Sequence, residues 1–175
     1  NNWIHAFDIL SPQGRMHHDI MEFVNHNFYE SKLKLIPKIE RLNYPIKNCF
    51  AIESSHWLCN YRMVFINSSV EINAKWKTND DEAKKVREIV FQLKHQYESN
   101  NRTWNETNIG IITPYRAQIS LIKSYLPLDT KIMVDTVERF QGGAKDIIII
   151  SLCTNKLSQL NTLIVNSDQG IDRKL

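Results

Sequence analysis

Glycine is scarce in this chain of 175 residues, five in all, and no run of it ends in the Lys-Ser or Lys-Thr of a phosphate-binding loop. No Asp-Glu pair follows an apolar strand either. Those two features hold the triphosphate and Mg²⁺ in nucleotide-driven motors, so the chain alone cannot hydrolyse ATP by that route. Cysteine is sparse too: the three residues Cys49, Cys59 and Cys153 make no paired framework and fit a reducing compartment. Cys49, His56 and Cys59 match no standard zinc spacing and lack an evident fourth ligand, so no metal site is expected. No apolar run approaches membrane-spanning length. The opening Asn1-Asn2-Trp3 has neither the charged nor the apolar region of a signal peptide, so a cytoplasmic protein is expected. The sequons at Asn67, Asn101 and Asn105 carry no weight there. Charge of one sign is also lacking. The 22 basic and 19 acidic residues leave a net +3, which permits a nucleic-acid partner through a local patch without demanding one.

What is present suits one globular domain. Apolar residues make up 42% and charged residues 23%. The most organised stretch runs from Val134 to Asp146 and is followed by Ile147-Ile148-Ile149-Ile150-Ser151-Leu152. Four consecutive Ile with no polar alternation predict a central strand of a parallel sheet, covered on both faces. The turn before it holds Thr136, Glu138, Arg139, Gln141 and two glycines. Polar groups at a strand's carboxyl end are where open α/β sheets bind ligands. The alternative is a solvated loop with Gly142-Gly143 as turn punctuation.

In chain order, Trp3 to Leu10 reads as a helix end. Met16, Ile20, Phe23, Val24 and Phe28 recur at helical spacing and predict a helix over 17–29. Arg15 stands at its entrance, either solvated or aimed at a phosphate. His17 and His18 read as structural. Residues 30–61, with Pro37 and Pro45, read as an irregular excursion with short strands, Ala51-Ile52 among them. Met63 to Ile66 reads as a strand and Ser68 to Lys77 as a loop. Asn79 is a good helix N-cap, with Glu82 three residues on for a reciprocal cap. Asp80, Asp81 and Glu82 put negative charge at the positive end of the helix dipole. Ala83, Val86, Val90, Leu93 and Tyr97 form the buried stripe of that helix. Ile109 to Ile112 is a strand, Thr113-Pro114-Tyr115 turns into a helix stopped by Pro127, and Lys131 to Val134 is the next strand. Such alternation indicates βαβ units, with Thr113–Arg116 and Thr136–Gly142 side by side at one edge.

Three segments in order resemble superfamily 1 helicases, in the group containing the nonsense-mediated-decay helicase and the nuclease-helicases. Leu10-Ser11-Pro12-Gln13-Gly14-Arg15-Met16-His17 resembles the Gln-Tyr-Arg-Met-His motif. Ile109 to Gln118 is similar to the Gly-Ile-Ile-Thr-Pro-Tyr-Arg-Ala-Gln segment. Thr136 to Asp146 resembles Thr-Val-Asp-Ser-Phe-Gln-Gly-x-Glu-x-Asp. Asp172-Arg173-Lys174-Leu175 looks like the opening of a further motif, cut short. The resemblance implies a single RecA-like domain over 1–175, an α/β fold with a mostly parallel central sheet flanked by helices on both faces. It implies the second motor domain of an ATP-dependent helicase, monomeric and inactive alone. ATP and Mg²⁺ would sit mainly on an absent first RecA-like domain of the same polypeptide. Arg15 would be the catalytic arginine reaching the γ-phosphate. Gln13, Arg15, Gln141 and Gly142 would contact the nucleotide. Thr113, Pro114, Tyr115, Arg116, Gln118 and Thr136 would contact single-stranded nucleic acid, DNA in preference to RNA. The alternative for Tyr115 is a packing residue at a helix start, and for Arg116 a solvated charge. Two departures stand out. Gly14 replaces a Tyr that stacks on adenine, and Ala144 replaces a Glu that contacts ribose, so relaxed base selectivity is expected. The alternative is a degenerate helicase-like scaffold or nucleic-acid-binding module.

Overall fold

A computed structural model describes residues 10–36, 58, 61–69, 75–154, 156, 164–167 and 170–173. It divides into two units, Asn1–Phe65 and Ile66–Leu175. The expected strand at Ala51-Ile52, most of Trp3 to Leu10, and Cys49, His56 and Cys59 lie outside the described residues.

The described part of the first unit is a βαβ element. Strand β1 (Pro12–Gln13) leads into helix α1 (His18–Phe28) and then strand β2 (Lys34–Leu35), which pairs in parallel with β1. The helix falls where the spacing of apolar residues puts it, but its buried side is shifted. Met21 is the buried residue, whereas Phe23 and Phe28 are about half exposed. The return to β2 is fixed by Asn25. Its side-chain amide accepts the Leu33 N–H at 2.8 Å and donates to the Leu33 carbonyl at 3.2 Å, imitating one rung of a sheet. Met63 to Ile66 is not a strand.

The second unit is built on three parallel strands, β3 (Ile109–Ile112), β4 (Met133–Asp135) and β5 (Ile147–Ile150), in the order β4-β3-β5. Helix α2 (Asp80–Ser99) precedes them and α3 (Arg116–Tyr125) connects β3 to β4. Ala83, Val86 and Val90 of α2 and Ile122 of α3 pack with Ile109, Ile111, Ile132 and Val134 in one core. In a strand, alternate residues face opposite sides. The odd-numbered residues of β3 therefore face both helices, and Gly110 and Ile112 face away. Moving from β3 to β4 and then back past β3 to β5 reverses direction across the sheet. Right-handed crossovers require the two connections to lie on opposite faces. The second connection, residues 136–146, does so: it contains one 3₁₀ turn (Val137–Phe140) and lays Phe140 against Gly110.

One expectation is corrected here. Among the described strands, the four-isoleucine strand is not central: β3 is. Ile147 and Ile149 pack on the core, but Ile148 and Ile150 are 43% and 59% exposed. A run of apolar residues reports the capacity for burial, and the covering elements decide whether it is used. Helices α2 and α3 of this unit pack into the same core. The fold is α/β with a parallel sheet, and a β-hairpin (β6, Ile164–Ser167; β7, Gly170–Arg173) adds an antiparallel pair near the end.

Candidate functional site

The carboxyl ends of β3 and β4 carry the predicted residues of the second unit. Ile112 pairs with Asp135, and the Thr113 N–H donates to the Asp135 carbonyl at 3.2 Å, so the chain leaves both strands side by side. Thr113 is buried, and its hydroxyl has no partner among the described residues. Pro114 and Tyr115 then turn the backbone into α3. Tyr115 is the N-cap yet supplies no side-chain cap, and the first turn contains no acidic residue. The opening N–H groups of a helix have no intrahelical acceptors and carry the positive end of its dipole. With the exposed Arg116 beside them, this corner favours an anion.

Gln118 does not belong to that surface. It is 0% exposed. Its carbonyl oxygen accepts the Asn79 N–H at 2.7 Å, and its amide nitrogen donates to the Asn79 carbonyl at 2.9 Å and to Ser151 Oγ at 3.2 Å. Its predicted contact with nucleic acid is corrected accordingly: a buried amide with both ends occupied is a brace. The brace continues through Glu82. Its carboxylate accepts from Asn79 Nδ2 at 3.0 Å, Ser151 Oγ at 2.6 Å and the Cys153 N–H at 2.9 Å. Asn79 caps α2 as expected, its Oδ1 accepting the Glu82 N–H at 2.9 Å. The reciprocal half differs, because the Asn79 N–H faces Gln118 and not the Glu82 carboxylate. Cys153 adopts φ +55°, a left-handed conformation that is uncommon outside glycine, and its N–H is held there by Glu82. Burial first, then the Glu82 charge, pushes its thiol up to about 12. Only the Asn79–Glu82 spacing announced this network in the sequence.

The β4 exit is partly committed to itself. The Thr136 N–H donates to Asp135 Oδ1 at 2.8 Å. The nearby Thr136 hydroxyl is the main influence holding the Glu138 carboxyl below its usual range. Beyond it, Gln141 and Gly142 are exposed. Gln141 has φ −60° and ψ 129°, Gly142 has φ +83°, and the Gly143 N–H returns to the Phe140 carbonyl at 3.0 Å. These are the angles of a type II turn, which requires Gly or Asn at its third position.

Gln13 and Arg15 lie in the first unit. The Gln13 carbonyl oxygen accepts the N–H groups of Arg15 and Met16, each at 2.9 Å, and its amide donates to the Met16 carbonyl at 3.1 Å. Both lone pairs of that oxygen are thus engaged. Gln13 shapes the turn that presents the exposed Arg15, instead of offering its own acceptor to a ligand. Among the described residues, no three His, Cys, Asp or Glu side chains gather as a metal set, and no helix is long and apolar enough to cross a membrane.

Residues 1–170 match the family model described as AAA domain. The chain is 29% identical over 82% of its length to the DNA polymerase alpha-associated DNA helicase A of Saccharomyces cerevisiae, covering 22% of that protein. It is 33% identical over 93% of its length to an uncharacterized ATP-dependent helicase of Methanocaldococcus jannaschii, covering 26% of it. It is 33% identical over 81% of its length to the probable helicase senataxin of Homo sapiens, covering 5% of it.

Proposed function

The chain belongs to the AAA domain family, and from that premise we propose that it is the second RecA-like motor domain of a superfamily 1 ATP-dependent helicase. One observation carries the reading. The carboxyl ends of β3 and β4 lie side by side, one leading into an uncapped helix N-terminus with Tyr115 and Arg116, the other into the loop that bears the exposed Gln141-Gly142 turn.

The division of labour follows from the chemistry of each group. Pro114, Tyr115, Arg116 and the first N–H groups of α3 take the backbone of single-stranded nucleic acid, DNA in preference to RNA. One cation, one aromatic face and backbone amides suit such a sequence-blind contact. Thr113 is too deeply buried to share it unless the loop opens. Gln141 and Gly142 meet a nucleotide bound on a preceding RecA-like domain of the same polypeptide, which also supplies the phosphate loop and the Mg²⁺ ligands. Arg15 offers its planar fork to the γ-phosphate, where charge spreads during transfer. The residues present suit phosphates better than base or sugar, since Gly14 and Ala144 lack side chains that could stack or accept from a ribose. ATP supplies the closure energy when bound, and the described residues bind and orient it.

The test uses the longest natural form of the protein. Arg15→Ala should lower nucleic-acid-stimulated ATP hydrolysis by at least roughly 10³-fold, the scale of a transition-state arginine. Arg116→Ala should weaken single-stranded DNA binding and reduce the salt slope by about 0.7. Unchanged hydrolysis in Arg15→Ala would favour a helicase-like scaffold.

A further inference from the structure

We propose that Gly110 and Phe140 form a positioning pair that sets where the Gln141-Gly142 turn stands over the sheet. The connection from β4 to β5 must cross the central strand β3 without a helix to lift it clear of the sheet. It lies close because β3 has no side chain at that rung. A Cβ added at Gly110 would overlap the Phe140 ring at Cε1, with Cζ at 3.1 Å and Ile148 Cδ1 at 3.0 Å. The aromatic ring fills the space that any other residue at position 110 would occupy. Gly110 has no positive φ, so close approach and not backbone freedom is its reason for being glycine.

Phe140 is also the first residue of the type II turn. Its carbonyl accepts the Gly143 N–H at 3.0 Å, and Gln141 follows it directly with its side chain in solvent. Ring and turn are therefore joined through the backbone of one residue. Fixing the ring against Gly110 fixes the height and register of Gln141. The pairing joins two residues 30 positions apart, one in Ile109–Gln118 and the other in Thr136–Asp146. The functional consequence rests on the nucleotide role proposed for Gln141, but the positioning itself does not.

Amide exchange in the full chain tests the positioning. Phe140→Ala removes the anchor without creating a clash, and Gly110→Ala drives the ring off. Each should speed exchange of the Gly143 amide by at least roughly tenfold while leaving Ile111 protected, the signature of local opening. Gly110→Ala/Phe140→Leu, which makes room for the new methyl, should recover part of the loss. Unchanged Gly143 exchange in both single variants, or a double variant no better than Gly110→Ala, overturns the pair. A second arm measures KM for ATP in the longer protein. Gly110→Ala and Gln141→Ala should each raise it by roughly tenfold, the cost of a displaced contact. If Gln141→Ala leaves KM unchanged while the exchange results hold, the positioning stands and the nucleotide role of Gln141 falls.

Discussion

Replacing Gln118 by Leu keeps the volume of a wholly buried side chain and removes all three of its hydrogen bonds. Their losses are unequal. The Asn79 carbonyl still accepts from the Ala83 N–H at 3.1 Å, and Ser151 Oγ still donates to Glu82 at 2.6 Å. The Asn79 N–H, in a residue that is 1% exposed, loses its 2.7 Å bond to the Gln118 carbonyl oxygen. Losing that buried acceptor costs about 1–3 kcal/mol, and each of the two lesser bonds about 0.5–1.5 kcal/mol. Burying Leu in place of Gln returns part of this, so the net loss is about 2–4 kcal/mol. At this chain length that lowers the Tm by about 5–15 °C. Urea unfolding followed by circular dichroism gives the stability, and fluorescence anisotropy gives the affinity for single-stranded DNA under folded conditions. A brace predicts lost stability with affinity retained in the folded fraction. A stability change below about 0.5 kcal/mol with a clear loss of affinity would refute the reasoning and restore Gln118 to the proposed nucleic-acid surface.

Asp81 is held down to about 2, first by the Lys85 ammonium and then by the Ser69 N–H, against an ordinary 3.8. Its folded value lies below its unfolded one, so its contribution is complete above about pH 4 and disappears as pH falls toward 2. Asp81→Asn should therefore flatten the fall in urea midpoint between pH 5 and pH 2.5. Asn79→Ala removes both the α2 cap and a donor to the Glu82 carboxylate. It should cost about 2 kcal/mol in unfolding free energy by thermal or urea melts, the upper part of the range for lost caps. Cys153 is 0% exposed and its thiol is pushed up to about 12, so in a Cys49→Ser/Cys59→Ser background it should resist iodoacetamide at pH 8 and react only as urea opens the fold.

Local features were legible because their causes are local. Asn79 with Glu82 marked a helix start, and α2 begins at Asp80. Pro127 marked a helix end, and α3 stops at Tyr125. The β3 boundaries were read correctly from four apolar residues before Thr113-Pro114, and β4 falls within two residues of its expected place. The α1 helix was found from its spacing, but its buried side was misjudged, since spacing gives a stripe and not what covers it. The Met63–Ile66 strand failed for a related reason. Alternating or apolar sequence permits a strand only where a partner strand exists to complete the ladder.

The sequence alone determined the identity and order of the chemical groups: a Gly-Ile-Ile-Thr-Pro-Tyr-Arg turn, a Phe-Gln-Gly turn and an arginine before a helix. It also determined which segments alternate between strand and helix, because capping, proline and side-chain period act over a few residues. Only the tertiary structure decided that Gln118 turns inward to Asn79, 39 positions away, and that, among the described strands, the four isoleucines lie beside β3 and not at the centre. It alone placed Phe140 in the space left by Gly110. Those outcomes depend on which surfaces meet across the sheet, and hydrogen-bonding capacity or apolar character at one position does not specify the partner that will satisfy it.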